Sequence, residues 1–328
     1  MKYRTLGKTG LEVSAVSLGT WQVGGKWGSG FDRKNAHKIL NEAIDQGINF
    51  IDTADVYEGG LSEQAVGKII RSRSEEVYIA TKCGRQINPH NNEGYTPKML
   101  RGYVEDSLCN TKLDCIDLIQ LHCPPIEVYY RPEIFEEFDK LKQEGKIKHL
   151  GVSVEKIEEA LKAIEYSNVC TVQIIYNMFR HRPNELFFRE AKRRNVGIIA
   201  RVPLASGLLT GKYKRSTSFE STDHRHFNRE GAYFDKGETF SGVDYNIGLK
   251  AAKRLKKIFP DEVELVHVAL RWILMYEAIS TVIPGASRLE QLISNLEAIK
   301  MRKLKKDEMK QIEEIYQEMI YPMVHHQW

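Results

Sequence analysis

The chain has 328 residues, 42% of them hydrophobic, and a net charge of +4. That is long for one sandwich or one Rossmann unit and comfortable for one α/β barrel. No run of about 18 apolar residues occurs, so no transmembrane helix is expected, and no recognisable nucleic-acid-binding module accompanies the mild charge.

The opening Met1-Lys2-Tyr3-Arg4-Thr5-Leu6-Gly7 lacks an apolar core of signal-peptide length, which predicts a cytoplasmic protein. Short apolar strand candidates then alternate with helical patterns. The strands are Val16–Thr20, Asn49–Thr53, Val77–Lys82, Ile116–His122, Lys148–Ser153, Thr171–Tyr176, Gly197–Val202 and Ser280–Pro284. Several are apolar on consecutive residues, as strands covered on both faces should be. Asp32 is placed to N-cap a helix with an apolar face of Ala36, Ile39, Leu40, Ala43 and Ile44, stopped by Gly47. Thr96-Pro97 opens another helix. Ser287-Arg288-Leu289-Glu290 has the capping-box pattern. Eight strand-helix units argue for parallel strands, right-handed crossovers and closure into a barrel, with a doubly wound open sheet as the alternative.

Residues 205–245 break this rhythm and predict a functional or mobile loop. The tail Tyr321–Trp328 is also irregular. The basic stretch Lys300–Lys306 reads as a solvated helix face. Cys83, Cys109, Cys115, Cys123 and Cys170 form no CxxC pair and read as reduced, mostly packed thiols. His224 with His226, and His325 with His326, lack partner ligands for a metal and read as a solvated loop and terminus. Met178-Phe179-Arg180-His181 reads as loop packing or as a substrate contact. The glycine-rich Gly24–Gly30 is neither a P-loop nor a dinucleotide fingerprint.

In a barrel, functional residues sit at the C-terminal ends of strands. Asp52, Lys82 and His122 end three successive strand candidates, and Tyr57 lies five residues after Asp52. Each residue taken alone has a structural explanation, Asp52 and Lys82 as a buried ion pair. Together they support one chemistry. A phenol with a pKa of about 10 is a poor acid at neutral pH, and a neighbouring ammonium lowers that value. Lys82 would activate Tyr57, Asp52 would hold Lys82, and His122 would orient a carbonyl oxygen. Hydride must then come from a redox cofactor, because no side chain donates it.

The segments Asp52-Thr53-Ala54-Asp55-Val56-Tyr57, Thr81-Lys82 and Gln120-Leu121-His122 resemble, in order and spacing, the tetrad of the aldo-keto reductase superfamily. The resemblance runs from Leu18-Gly19-Thr20-Trp21 to Ile283-Pro284-Gly285-Ala286-Ser287 with Asn295. It implies a (β/α)8 TIM barrel, one domain over residues 1–328, with an N-terminal β-hairpin and an extra C-terminal helix. It further implies NADPH bound extended, with NADH as the alternative, and transfer of the 4-pro-R hydride to a small aldehyde or ketone. Gly19, Thr20 and Trp21 would meet the nicotinamide end beside Asp52, with Trp21 and Trp27 facing substrate together with Tyr57 and His122. Ser153 and Gln173 would bond the carboxamide. The run Val202, Pro203, Leu204, Ser206, Gly207, Leu209, Gly211 and Lys212 resembles the pyrophosphate loop. Gly285, Ser287, Arg288, Gln291 and Asn295 resemble the adenosine-phosphate segment at a helix N-terminus.

This chain departs from the commonest family pattern at three places. Val154 stands where an Asn would bond the carboxamide. Arg201 replaces the aromatic that stacks on nicotinamide, and its charge would disfavour the oxidised ring. Gly285 and Gln291 replace basic residues that bind the 2′-phosphate, as in the branch containing potassium-channel β-subunits and bacterial reductases, which leaves Arg288 to supply that charge. The expected activity is NADPH-dependent carbonyl reduction. A cofactor-binding regulatory subunit and a physiological alcohol or sugar dehydrogenase are the alternatives.

Overall fold

The first strands, β1 (Tyr3–Thr5) and β2 (Glu12–Ser14), pair antiparallel as a hairpin. Eight parallel strands follow in one sheet: β3 (Leu18–Gly19), β4 (Phe50–Asp52), β5 (Tyr78–Cys83), β6 (Ile116–His122), β7 (Ile147–Ser153), β8 (Val169–Ile175), β9 (Gly197–Arg201) and β10 (Ile279–Val282). They match the eight expected positions. The computed structural model describes residues 1–25 and 30–328, so Trp27 lies outside the described residues.

The sheet closes. Val16 bridges Val282 and Gly19 bridges Gly285 in parallel, with Ser17 N donating to the Val282 carbonyl at 2.9 Å and Gly19 N to the Pro284 carbonyl at 3.1 Å. Closure needs glycine at position 19, because a Cβ there would stand 2.9 Å from the Ile283 carbonyl oxygen. The result is a (β/α)8 barrel. Every residue of β4, β5 and β8 is buried, which explains their unbroken apolar runs. The hairpin plugs the lower end, where Leu6 and Val13 pack with Phe50, Tyr78, Leu118, Ile199 and Ile283.

Local capping follows the sequence closely. The Asp32 side chain accepts from the amides of Lys34 and Asn35 and opens the helix Arg33–Asp45, whose buried residues are Ala36, Ile39, Leu40, Ala43 and Ile44. Thr96 caps Pro97–Thr111 through the Met99 amide. The last barrel helix, Leu289–Lys300, starts one residue later than its sequence pattern suggests. Gln291, not Glu290, reaches back: its Oε1 accepts from Ser287 N, Ser287 Oγ and Arg288 N. Residues 301–305 form a connector rather than a helix face, and lead into the C-terminal helix Lys306–Met319.

Residues 205–245 are not structureless. They fold into the turns Ala205–Thr210, Lys236–Glu238 and Phe240–Gly242 and the short helix His224–Phe227, held by the aromatic contacts of Phe219 with Phe240 and Tyr245. The tail is equally ordered. Its last residue, Trp328, donates from its indole nitrogen to Asp235 Oδ1 at 2.8 Å, and the Arg180 guanidinium lies 3.9 Å over its ring. The tail therefore clamps this insert against the barrel. His325 is buried and bonds Tyr316 at 2.8 Å, so it is not a solvated residue. His181 stacks on Tyr316 and Trp272, which settles Met178–His181 as packing. No helix among the described residues is long and apolar enough to cross a membrane.

Candidate active site

Strand register brings the polar strand ends together. Gly19 pairs with Asp52, Lys82 with Gln120, His122 with Ser153, and Ser153 with Gln173. Lys82 is 1% exposed and Asp52 2%. The ammonium spends three donors: to Asp52 Oδ1 at 2.5 Å, to the Thr53 carbonyl at 2.8 Å and to Tyr57 Oη at 3.2 Å. Asp52 Oδ2 accepts from Gln173 Nε2 at 2.7 Å and Gln120 Nε2 at 3.2 Å. Trp21 stacks on Tyr57 with centroids 6.0 Å apart, and His122 meets Tyr57 edge-on at 6.2 Å. Asp52, Tyr57, Lys82 and His122 thus form one cluster.

A cleft of about 560 Å³ runs from this cluster across the rim of the barrel. Gly19, Thr20, Trp21, Ser153, Gln173, Arg201, Val202, Pro203, Leu204, Ser206, Gly207, Lys212, Gly285, Arg288, Gln291 and Asn295 all line it with Tyr57 and His122. Three expected contacts do not. Leu209 is a core residue at 0% exposure, Gly211 closes a turn through its amide to the Leu208 carbonyl, and the Ser287 hydroxyl is spent on Gln291. Small residues in a loop mark a tight turn, but which of them face a ligand depends on how that turn is tilted.

The family model described as "Aldo/keto reductase family" matches residues 15–317. This chain belongs to the aldo/keto reductase family. The "Uncharacterized oxidoreductase YqkF" of Bacillus subtilis is 31% identical over 98% of both chains. A Schizosaccharomyces pombe protein provisionally named as a voltage-gated potassium channel subunit beta is 32% identical, covering 95% of this chain and 92% of its own. The holo form of aldo-keto reductase AKR11C1 from Bacillus halodurans superposes with a TM-score of 0.78 at 27% identity over 99% of both chains. The protein is accordingly an NAD(P)H-dependent oxidoreductase, an aldo-keto reductase that uses a nicotinamide cofactor.

Electrostatics in this reductase differ from the simple picture of an activated phenol. Burial pushes the Tyr57 pKa above its ordinary value, and Lys82 only partly offsets that. Burial also works against the Lys82 charge, but Asp52 and Tyr57 together hold its pKa above the lysine norm. Both protons therefore stay in place at neutral pH. Burial, then Lys82, Arg85 and Arg201, hold the His122 pKa well below normal, so its ring is neutral. Its Nδ1 is buried without a partner among the described residues.

Arg201 is not a free cation over the cofactor site. Its Nη1 pairs with Glu238 Oε2 at 2.6 Å and its Nη2 donates to the Val154 carbonyl at 2.8 Å. Glu238 therefore cancels the charge that would have opposed an oxidised ring. His224 is buried rather than solvated, bonds Thr239 Oγ1 at 3.1 Å and packs against Trp21 at 5.3 Å, while His226 stays exposed. Sequence reasoning missed Gln120, Arg85, Glu238 and His224. Gln120 was within reach, because it shares a strand face with His122 at a spacing of two. Arg85 lies in the loop after Lys82 and carried no distinguishing pattern. Glu238 and His224 come from the insert, where no periodicity marks a facing direction.

Cofactor-sized chemistry fits this cleft. Arg288 is exposed at the start of a 12-residue helix, beside Gln291, Ser294 and Asn295, and makes no ion pair among the described residues. That is a setting for phosphate. Gln291 offers only its amide nitrogen, because its oxygen holds the helix start. Gln173 offers only its oxygen, because Nε2 is given to Asp52 and Gln120.

Asp55 is a second buried acid close by, at 3% exposure. Neither carboxylate oxygen has a hydrogen-bond donor in good geometry, although Gln86 and the Val56 amide lie near. Burial, then Glu63, push its pKa up to about 7. Between its unfolded value and that point the folded state binds more protons, so this group costs stability as pH rises. Asp55→Asn is expected to gain stability over wild type at about pH 8, with the gap closing towards about pH 4. Urea unfolding at both pH values checks this, and an equal difference at both would contradict it.

Proposed function

We propose that this protein reduces an aldehyde or ketone to the alcohol with NADPH, and that Tyr57 gives the proton. The observation that carries the reading is the hydrogen-bond arithmetic at Lys82. An ammonium can only donate, so Tyr57 Oη accepts from Lys82 Nζ at 3.2 Å. The phenol's own hydrogen is then free for an acceptor in the cleft. As that proton leaves, the ammonium stabilises the phenolate oxygen it already touches, and Asp52 keeps Lys82 fixed. His122 is neutral, and its orphaned Nδ1 is cheaper as a lone pair than as an N–H. The proton then belongs on Nε2, where it would donate to a carbonyl oxygen. A bound reduced nicotinamide would supply the hydride. Arg288 supports the phosphorylated cofactor over NADH, and the five unbridged cysteines accord with a reducing, cytoplasmic compartment.

Protonated Tyr57 suits reduction. Because its pKa is raised, the reduction rate is expected to hold level from neutral into mildly alkaline pH. Oxidation of the product alcohol needs the phenolate and is expected to climb over the same range. Initial rates in both directions against pH test this, and an alkaline fall in reduction with flat oxidation would exclude Tyr57 as the acid. The reading as a whole is tested by multiple-turnover assays with aldehydes, sugars and α-dicarbonyls, using NADPH and NADH side by side. Tight cofactor retention without turnover would replace it with a cofactor-binding subunit role.

A further inference from the structure

Three side chains, Arg85, Arg201 and Glu238, line the cleft with Tyr57 and His122, and Glu155 contacts Arg85. Arg85 lies two residues beyond β5, Glu155 two beyond β7, Arg201 ends β9, and Glu238 descends from the insert. Arg201 and Glu238 are closed on each other at 2.6 Å, with side chains 9% and 11% exposed. Arg225 also lines the cleft but is consumed by Asp223 and by Tyr213 Oη at 2.6 Å.

Arg85 is different. Its Nη1 meets Glu155 Oε1 at 3.4 Å, and among the described residues its side chain makes no other hydrogen bond. A guanidinium carries five N–H donors in a planar fork. Most of that fork is unspent, and it lines the cleft with Tyr57 and His122. Nor is the charge of Arg85 cancelled. Burial, then Glu238 and Asp235, push the Glu155 pKa up to about 8, so at neutral pH this carboxyl is mostly protonated. Counting Arg201 against Glu238 and Lys82 against Asp52, one positive charge is left over, on Arg85. Partial burial makes that charge stronger towards an anion than it would be in water.

We infer that Arg85 is an anion subsite of the substrate pocket, and that the carbonyl compound this protein reduces carries a carboxylate or phosphate group. This rests on the proposed reductase function. A bidentate guanidinium contact fits either anion, and it would hold the far end of the substrate while the carbonyl lies against Tyr57 and His122.

The test uses pairs that differ only in the anion: 4-carboxybenzaldehyde against its methyl ester, and glyceraldehyde 3-phosphate against glyceraldehyde. Assays are run at fixed ionic strength with the cofactor-saturated enzyme. Wild type is expected to favour the charged member of at least one pair by about tenfold or more in kcat/KM, the size of a charge-assisted hydrogen bond. The pair that shows it separates carboxylate from phosphate. Arg85→Gln is expected to collapse that ratio towards unity, and Arg85→Lys to restore part of it. The ratio is internal to each protein, so a general loss of activity does not imitate the effect. Calorimetric binding of the product 4-(hydroxymethyl)benzoate to the NADP-loaded protein gives a readout independent of turnover. Arg85-dependent binding without turnover would leave the subsite standing and remove the reductase reading. Equal rates within both pairs in wild type, or a ratio indifferent to Arg85→Gln, would overturn the inference.

Discussion

Tyr57→Phe is expected to lower kcat for carbonyl reduction by about a hundredfold to ten-thousandfold, the range that a positioned general acid supplies. The substitution removes one oxygen and little else. The ring keeps its stacking on Trp21 and its edge contact with His122. Lys82 keeps its bonds to Asp52 and the Thr53 carbonyl, so its charge stays held. The cofactor residues proposed along Val202–Gly207 and Arg288–Asn295 are untouched, so NADPH affinity measured by fluorescence titration should match wild type. Stopped-flow hydride transfer is the decisive measurement, because slow product release would mask an effect on chemistry in the steady state. Wild-type hydride transfer in the variant would remove Tyr57 from the mechanism.

Lys82→Met should do more than silence activity. It leaves the Asp52 carboxylate 2% exposed, with only the amides of Gln120 and Gln173 donating to it among the described residues. Breaking one half of a buried ion pair costs about 3–5 kcal/mol, because the remaining charge is uncompensated. The loss should depend on pH. Without the ammonium, the folded variant buries a carboxylate whose charge is uncompensated, and neutralising that charge relieves the cost. The deficit should therefore be larger at about pH 8 than at about pH 5. In wild type the Lys82 pKa is raised, so its contribution is present below the unfolded lysine value and fades only in strong alkali. Lys82→Met combined with Asp52→Asn should recover much of the loss, since no charge stays buried. Denaturant unfolding of the three variants checks the set. A pH-independent deficit in Lys82→Met would mean the cost is packing, not charge.

Glu238 shows where reading from sequence ends. Arg201 ends a strand and invites the reading of a free guanidinium over the cofactor site. Its counter-ion sits 37 residues away, in a segment with no periodic pattern. The segment is ordered by contacts that no local rule predicts: Phe219 against Phe240, and Trp328 bonding Asp235. A charge read without its partner gives the wrong field, and here it gave the wrong argument about the oxidised ring. Arg85 and Glu155 carry the same lesson, because the protonation of Glu155 follows from burial and from Glu238 and Asp235.

What lay in the sequence alone was whatever depends on neighbours along the chain. Strand and helix alternation, the Asp32 and Thr96 caps, and the ordered placement of Asp52, Tyr57, Lys82 and His122 are of that kind. Strand periodicity fixes which residues share an end, and a closed parallel barrel brings those ends to one rim. The tertiary structure decided what depends on distance through space. It tied Gln173 to Asp52 across 121 positions, put Leu209 in the core, and left Arg85 with one long contact, to Glu155 Oε1 at 3.4 Å. Hydrogen bonds and ion pairs act over a few ångströms, and chain distance says little about which groups come that close.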